Sequence, residues 1–326
     1  MIDILILILG LTLILVGANY LVDGSSAIAK RAGLSDFIIG MTIVGFGTSA
    51  PEMVVSVLSA AQGNADIAVG NVVGSNIFNV LVILGLTSVF YPIPLTSNNI
   101  KKDIPFGLLA AFVLCVIGCG TYLSNIEVNV ITRVSGILLL CFFGVFMAYT
   151  IYSSQKNSIS TEIDKTNVEE LSVKKIPMWL SIIMVVGGLG GLIWGGNLFV
   201  ESASSIASKL GVSDAVIAIT IMAGGTSLPE LASCVVAAYK KKTDLALGNV
   251  IGSNVFNIFL ILGVSASINP LNMSNITNLD LVALLLSSLL LFIFAFTFKK
   301  KMIDRIEGIL LLLLYILFIY FTINGI

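Results

Sequence analysis

Residues 40–52 read GMTIVGFGTSAPE and residues 218–230 read AITIMAGGTSLPE; residues 70–79 read GNVVGSNIFN and residues 248–257 read GNVIGSNVFN. Both pairs stand 178 residues apart, and 36–85 and 214–263 share 24 identities over 50 ungapped positions. The shared residues are dominated by Gly, Thr, Ser, Pro, Glu and Asn, in a chain that is 57% hydrophobic and 11% charged, with a mean hydropathy of +1.06. Apolar stretches of about 20 residues recur, each long enough to cross a bilayer as a helix. Continuous apolar runs, rather than short alternating segments, argue against a barrel. The fold class read from the sequence is an all-α membrane protein. Each repeated phrase places a polar break and one carboxylate, Glu52 or Glu230, at lipid depth.

Working outward, the apolar runs predict ten spans: 2–22, 37–61, 67–90, 104–124, 131–152, 178–200, 214–239, 245–268, 279–298 and 306–325. The first run has neither a basic n-region nor a cleavage site, so it reads as a retained helix. The polar stretch 153–177 divides the chain into a first half, 1–152, and a second, 178–326. It is too short and polar for a core of its own. Of 17 basic residues, 15 fall on alternate connections; Arg133 and Lys209 alone fall on the others. Basic loops stay cytoplasmic, which puts both termini outside and the 153–177 linker inside. With five spans per half, the two repeats enter the membrane from opposite sides. That is the inverted-repeat plan of secondary transporters, whose substrate sites lie near the midplane at broken helices. The expected place is a cell membrane, crossed many times, of the prokaryotic plasma or inner-membrane kind.

The phrases carry the chemistry. Pro51 and Pro229 lack an N–H and clash with the carbonyl four residues back, and Gly45, Gly47, Gly224 and Gly225 loosen the same turns. Such breaks survive at membrane depth where they face a cavity or another helix. Thr48, Ser49, Thr226 and Ser227 add hydroxyl oxygens. Thr48 and Glu52 share a helical face, as do Thr226 and Glu230. Asn71, Ser75 and Asn79, matched by Asn249, Ser253 and Asn257, form polar stripes; single Asn residues also serve as helix–helix glue. At ~6 Å and an effective dielectric of ~20, Glu52 and Glu230 would repel by roughly 3 kcal/mol, a repulsion that a cation between them would cancel. The donors are all oxygen, which suits hard cations such as Ca²⁺ and Na⁺ better than Mg²⁺. Glycines at 10, 17, 187, 188, 190, 191, 195 and 196 give spans one and six smooth faces, suited to sliding or to plain close packing.

Other residues read more plainly. Cys115, Cys119, Cys141 and Cys234 lie in apolar segments without CxxC spacing, as small buried residues do. There is no histidine, which removes the commonest proton shuttle and transition-metal ligand. No HExxH motif and no Ser/Lys pair within a span argue against an intramembrane enzyme. Asp66, Asp103, Asp214, Asp244 and Asp280 read as solvated or capping groups at span ends. Asp23 and Glu201, matched by the repeat, either line an entrance or sit at the surface. No cofactor and no nucleic-acid partner are implied.

GTSAPE with GNVVGSNIFN, repeated as GTSLPE with GNVIGSNVFN, resembles the α-repeats of the sodium/calcium exchangers, within the cation/calcium antiporter superfamily, of compact prokaryotic type. The resemblance implies ten helices in two inverted five-helix halves around four ion sites. It implies that Glu52 and Glu230 bind Ca²⁺ and share in Na⁺ binding, with the carbonyls of Thr48 and Thr226 in the Ca²⁺ shell. Ser49, Ser75 and the Ala223 carbonyl would form one outlying Na⁺ site. Ser227, Ser253 and the Gly45 carbonyl would form its mate, and Asn79 and Asn257 would flank the middle site. Sodium entry would drive Ca²⁺ out electrogenically. Some members, including potassium-dependent ones, carry Asp where this chain has Asn257, which weakens the case for potassium. The linker has no room for the calcium-sensing domains of animal exchangers. The leading expectation is Na⁺-driven Ca²⁺ export; proton-coupled cation exchange on the same scaffold and, as a different class, a cation channel are the alternatives.

Overall fold

The computed structural model describes residues 2–121, 128–163, 176–210, 223–297 and 301–324. Among these the molecule is helical almost throughout. In chain order the helices are α1 (Ile2–Ala32), α2 (Asp36–Thr48), α3 (Ala50–Ala61), α4 (Ala65–Phe90), α5 (Ile104–Gly118), α6 (Arg133–Ile163), α7 (Met178–Lys209), α8 (Leu228–Tyr239), α9 (Thr243–Ile268), α10 (Asn278–Phe294) and α11 (Arg305–Asn324). Six of them are long and apolar enough to cross a membrane, or seven when the bent pair α2–α3 is one span. The fourth, seventh and ninth expected spans are the shorter helices α5, α8 and α10. The first part of the seventh, 214–222, lies outside the described residues, as does Asp214.

Local chemistry explains the boundaries. Gly33, at φ +66°, ends α1 in the left-handed region that glycine enters freely. Ser35 then caps α2, its Oγ accepting from the Ile38 N–H. Thr277 and Asp280 form a capping box on α10, the capping role expected of Asp280. Asp103 departs from the solvated role: it is buried, and its Oδ2 accepts from Asn99. The fifth span also runs further than its apolar pattern. α6 continues to Ile163, into the stretch expected as linker, because no Gly or Pro interrupts SSQKNSISTEI. Residues 164–175 of that linker lie outside the described residues.

Two features tie the halves together. α1 and α7 run side by side with backbone-close packing. A Cβ on Gly17 would lie 2.7 Å from the Gly188 carbonyl, and one on Gly10 would lie 2.9 Å from the Gly195 carbonyl, so the glycine faces lock these helices to each other. The second feature carries no sequence signature. Strand β1 (Ile93–Pro94) pairs antiparallel with β4 (Met302–Ile303), and β2 (Val130–Ile131) pairs with β3 (Leu271–Asn272). β1 and β3 are matched at the 178-residue offset, so each half lends the other a strand. Such reciprocal exchange is the signature of a two-fold relation between halves.

Candidate functional site

The centre of the molecule is built from α2–α3 and α4 of the first half and from α8 and α9 of the second. At the first phrase the helix stops at Thr48 and Ser49 leaves helical geometry (φ −81°, ψ 7°). It restarts at Ala50 with Pro51 in its first turn, where a missing N–H breaks no helical bond. The axis bends by 47°. The second phrase repeats this. After a single turn, Ala223–Gly225, Ser227 has φ −87° and ψ 6°, and α8 restarts with Pro229 in its first turn. The break therefore falls two residues before each proline. α4 and α9 each carry a π-helical stretch, Asn79–Leu84 and Phe256–Leu262, which turns Asn79 and Asn257 relative to a regular helix.

Glu52 and Glu230 are each only 1% exposed. Their hydrogen bonds cross between halves: Ser227 Oγ donates to Glu52 Oε1 at 3.1 Å, and Ser49 Oγ donates to Glu230 Oε1 at 2.9 Å. The amides cross likewise. Asn79 Nδ2 donates to Asn254 Oδ1 at 3.0 Å, and Asn257 Nδ2 donates to Asn76 Oδ1 at 3.0 Å. Each amide thereby spends its donor on the opposite half and turns its own carbonyl oxygen elsewhere. Glu52 Oε2, Glu230 Oε2, Asn79 Oδ1 and Asn257 Oδ1 are fully buried and meet no protein donor. They are two matched pairs, all acceptors, and each orphaned buried acceptor is costly, the carboxylate oxygens most of all.

Around them lies a brace. Asn71 Nδ2 donates to the Glu52 carbonyl at 3.3 Å and to Ser56 Oγ at 3.0 Å. Asn249 Nδ2 donates to Ser233 Oγ at 2.8 Å, and Ser233 Oγ donates to the Glu230 carbonyl. Thr48 Oγ1 donates to the Val44 carbonyl at 2.9 Å and reaches Asn249 Oδ1 at 3.1 Å; Thr226 Oγ1 lies 3.4 Å from Asn71 Oδ1. α2 can sit this close to α9 because Gly248 and Gly252 face the Phe37 and Met41 carbonyls. The matching approach to Gly70 and Gly74 falls on 211–222, outside the described residues.

The hydrogen bonds sort the serines differently from the trios that the resemblance implies. Ser227 Oγ reaches Ser75 Oγ at 3.3 Å as well as Glu52. Ser253 Oγ donates to the Gly45 carbonyl at 3.3 Å. Ser75 thus joins Ser227 and Glu52 rather than Ser49. Ala223 is described for its backbone only, in the turn before the break. The polar stripes prove mixed: Asn71 and Asn249 brace the breaks, while Asn79 and Asn257 present bare oxygens. Asn76 and Asn254, off the stripe, escaped the sequence reading, although both stand in the repeated GSN. Of the outlying acids, Asp23 is held by Lys240 at 2.8 Å and Lys242 at 3.6 Å, and Glu201 is exposed.

Comparison with known proteins finds relatives across both halves of the chain. The family model described as sodium/calcium exchanger protein matches residues 2–152 and 180–324. The sodium/calcium exchanger MaX1 of Methanosarcina acetivorans is 33% identical over 98% of this chain and 97% of its own. The inner membrane protein YrbG of Escherichia coli is 33% identical over 81% of this chain and 79% of its own. A solved structure of the sodium-calcium exchanger NCX_Mj, soaked with Na⁺ and Ca²⁺, superposes with a TM-score of 0.81 at 33% identity, covering 98% of both chains. With the family model spanning both halves and the fold shared end to end, this multi-pass membrane chain belongs to the sodium/calcium exchanger protein family.

Proposed function

We propose that the protein is an antiporter that exports Ca²⁺ in exchange for Na⁺ by alternating access, with net positive charge entering in each cycle. The observation that carries this reading is the set of four buried, donorless oxygens of Glu52, Glu230, Asn79 and Asn257. Two carboxylate and two amide oxygens match the donor chemistry of hard cations. The relatives named as sodium/calcium exchangers support the choice of ions.

In this reading Glu52 and Glu230, with the Thr48 and Thr226 carbonyls, hold Ca²⁺, and Asn79 and Asn257 flank the middle site. Ser75 and Ser227 beside Glu52 serve one outlying Na⁺ site; Ser49 beside Glu230, with Ser253 and the Gly45 carbonyl that it meets, serves its mate, and the Ala223 carbonyl belongs to one of them. The hydroxyls that now donate to each carboxylate turn their lone pairs to a cation when one binds. Ten spans in two inverted halves, 1–152 and 178–326 joined by 153–177, with both termini outside, complete the proposal. α1 and α7 move as a pair past the core to expose the site alternately. A cross-link from α7 to α8 that leaves transport intact would end that part of it. Each net charge moved is worth roughly 2.3 kcal/mol per 100 mV of membrane potential.

The test is ⁴⁵Ca uptake into inside-out vesicles under imposed Na⁺, K⁺ or H⁺ gradients. Uptake that follows Na⁺ and membrane potential is expected. Uptake that ignores Na⁺ and follows pH would replace it with proton coupling. Conductance without counterflux would replace it with a channel.

A further inference from the structure

A groove of about 720 Å³ opens between the N-terminal end of α5 and the C-terminal end of α10, away from the ion site. Its floor and one wall are apolar, with Pro105, Phe292 and Phe296; Phe296 is 56% exposed. Its other rim carries Ser97, Lys101 and Lys301. Neither lysine meets a carboxylate among the described residues, where the ion pairs are those of Lys209, Lys240 and Lys242. Lys301 Nζ reaches only Ser97 Oγ, at 3.4 Å. The Lys301 backbone is pinned: its N–H donates to the Ala295 carbonyl at 3.0 Å and its carbonyl accepts from Leu95 at 2.7 Å. It holds φ +63°, a conformation that lysine rarely takes.

The two-fold relation supplies a control within the molecule. The register of the strand pairs makes Asn129 the counterpart of Lys301, and the 178-residue offset makes Leu279 the counterpart of Lys101. At that opposite corner Asn129 Nδ2 donates to the Gly118 carbonyl, and its Oδ1 accepts from the Thr121 N–H at 2.7 Å. At one corner the two counterpart side chains are uncharged, a leucine and an asparagine whose amide is spent on backbone groups. The other holds two cations that meet no carboxylate among the described residues, beside an apolar slot, on the face to which the charge partition assigns 15 of the 17 basic residues.

We infer that this groove is a binding site for an anionic phospholipid, the headgroup phosphate between Lys101 and Lys301 and an acyl chain along Phe292 and Phe296. A zwitterionic lipid offers the same chains but brings its own cation against the two lysines. Free phosphate satisfies the lysines but leaves Phe296 bare. The site bridges the halves, because Lys101 precedes α5 and Lys301 follows α10. It depends on the membrane setting alone and stands whichever ion drives transport.

Native mass spectrometry of the full chain in detergent, titrated with phosphatidylglycerol or phosphatidylcholine of equal chain length, tests it. Preferential retention of phosphatidylglycerol is expected. Exchanging the corner for its counterpart, Lys101→Leu with Lys301→Asn, keeps a residue that tolerates positive φ and removes both charges. At about fivefold per lysine, phosphatidylglycerol affinity should fall about 25-fold, with circular dichroism unchanged. Lys102→Leu, which removes a cation lying over the Tyr149 ring instead, should leave the preference intact. Equal retention of both lipids, a preference that survives in the double variant, or full displacement of phosphatidylglycerol by equimolar inorganic phosphate overturns the inference.

Discussion

The turn between α3 and α4 contains Gln62, Gly63 and Asn64; the turn between α8 and α9, at matched positions, contains Lys240, Lys241 and Lys242. The backbone is the same in both, since Gly63 has φ +82° and Lys241 has φ +59°. Glycine takes that conformation freely, whereas lysine does so at a cost of about 1–2 kcal/mol. What the second turn gains is charge: Lys240 and Lys242 hold Asp23 of α1. Burial is the largest influence on the Lys242 ammonium and lowers its pKa below the usual lysine value, while Asp23 and Asp36 oppose that shift. The centre built around Glu52 and Glu230 behaves in the opposite way. There Ser49 and Ser227, Glu52 and Glu230, and Asn79 and Asn257 have not diverged at all. The comparison separates residues whose hydrogen bonds cross between the halves, which have stayed matched, from residues of the two rim turns, which have not.

The largest effects belong to the centre. Glu52→Gln and Glu230→Gln should each reduce Na⁺-dependent ⁴⁵Ca flux to vesicle background, and by the same extent. A variant at one position that transports normally would break the equivalence of the halves. Next come the crossing amides. Asn76→Leu and Asn254→Leu each leave a buried amide without its acceptor, and should lower stability by about 1–3 kcal/mol in thermal unfolding and slow exchange alike. Unequal losses would show that one crossing matters more.

At the rims the effects shrink and the halves part company. Lys241→Gly should raise stability by about 1 kcal/mol by relieving the left-handed backbone, whereas Gly63→Lys should lower it by a similar amount. Asp23→Asn releases a partly exposed ion pair worth about 0.2–1 kcal/mol. It should alter the rate of exchange from one membrane side only, measured in right-side-out against inside-out vesicles. Glu201→Gln, with no cation at its matched turn, should alter neither.

Much of this was legible in the chain. The duplication at fixed offset marked Glu52, Glu230, Ser49 and Ser227 because polar residues at lipid depth have few reasons to persist in pairs. It marked Asn76 and Asn254 equally, but a regular 3.6-residue helix puts them beside the Asn71–Ser75–Asn79 stripe. Only the π-helical stretch from Asn79 and the crossing partner reveal their use. Ser233 hides for another reason: its counterpart is Val55, and it is Cys234 that matches Ser56. The strands β1 to β4 are two residues each, too short for any alternation to register. The reach of α6 to Ile163 was masked because polarity, which marks a linker, does not by itself stop a helix.

The exchanged strands also constrain how the protein is made. Ile93 pairs with Ile303, and Ile131 with Leu271, so neither strand pair can close until most of the chain has left the ribosome. At typical elongation rates that wait is on the order of ten seconds or more. Through that interval Ile93–Pro94 and Val130–Ile131 are open strand edges and the first carboxylate lacks its partner serine. Unpaired edges of this kind invite pairing with the wrong chain, so the interval before β3 and β4 emerge is when a nascent first half is most open to misassembly.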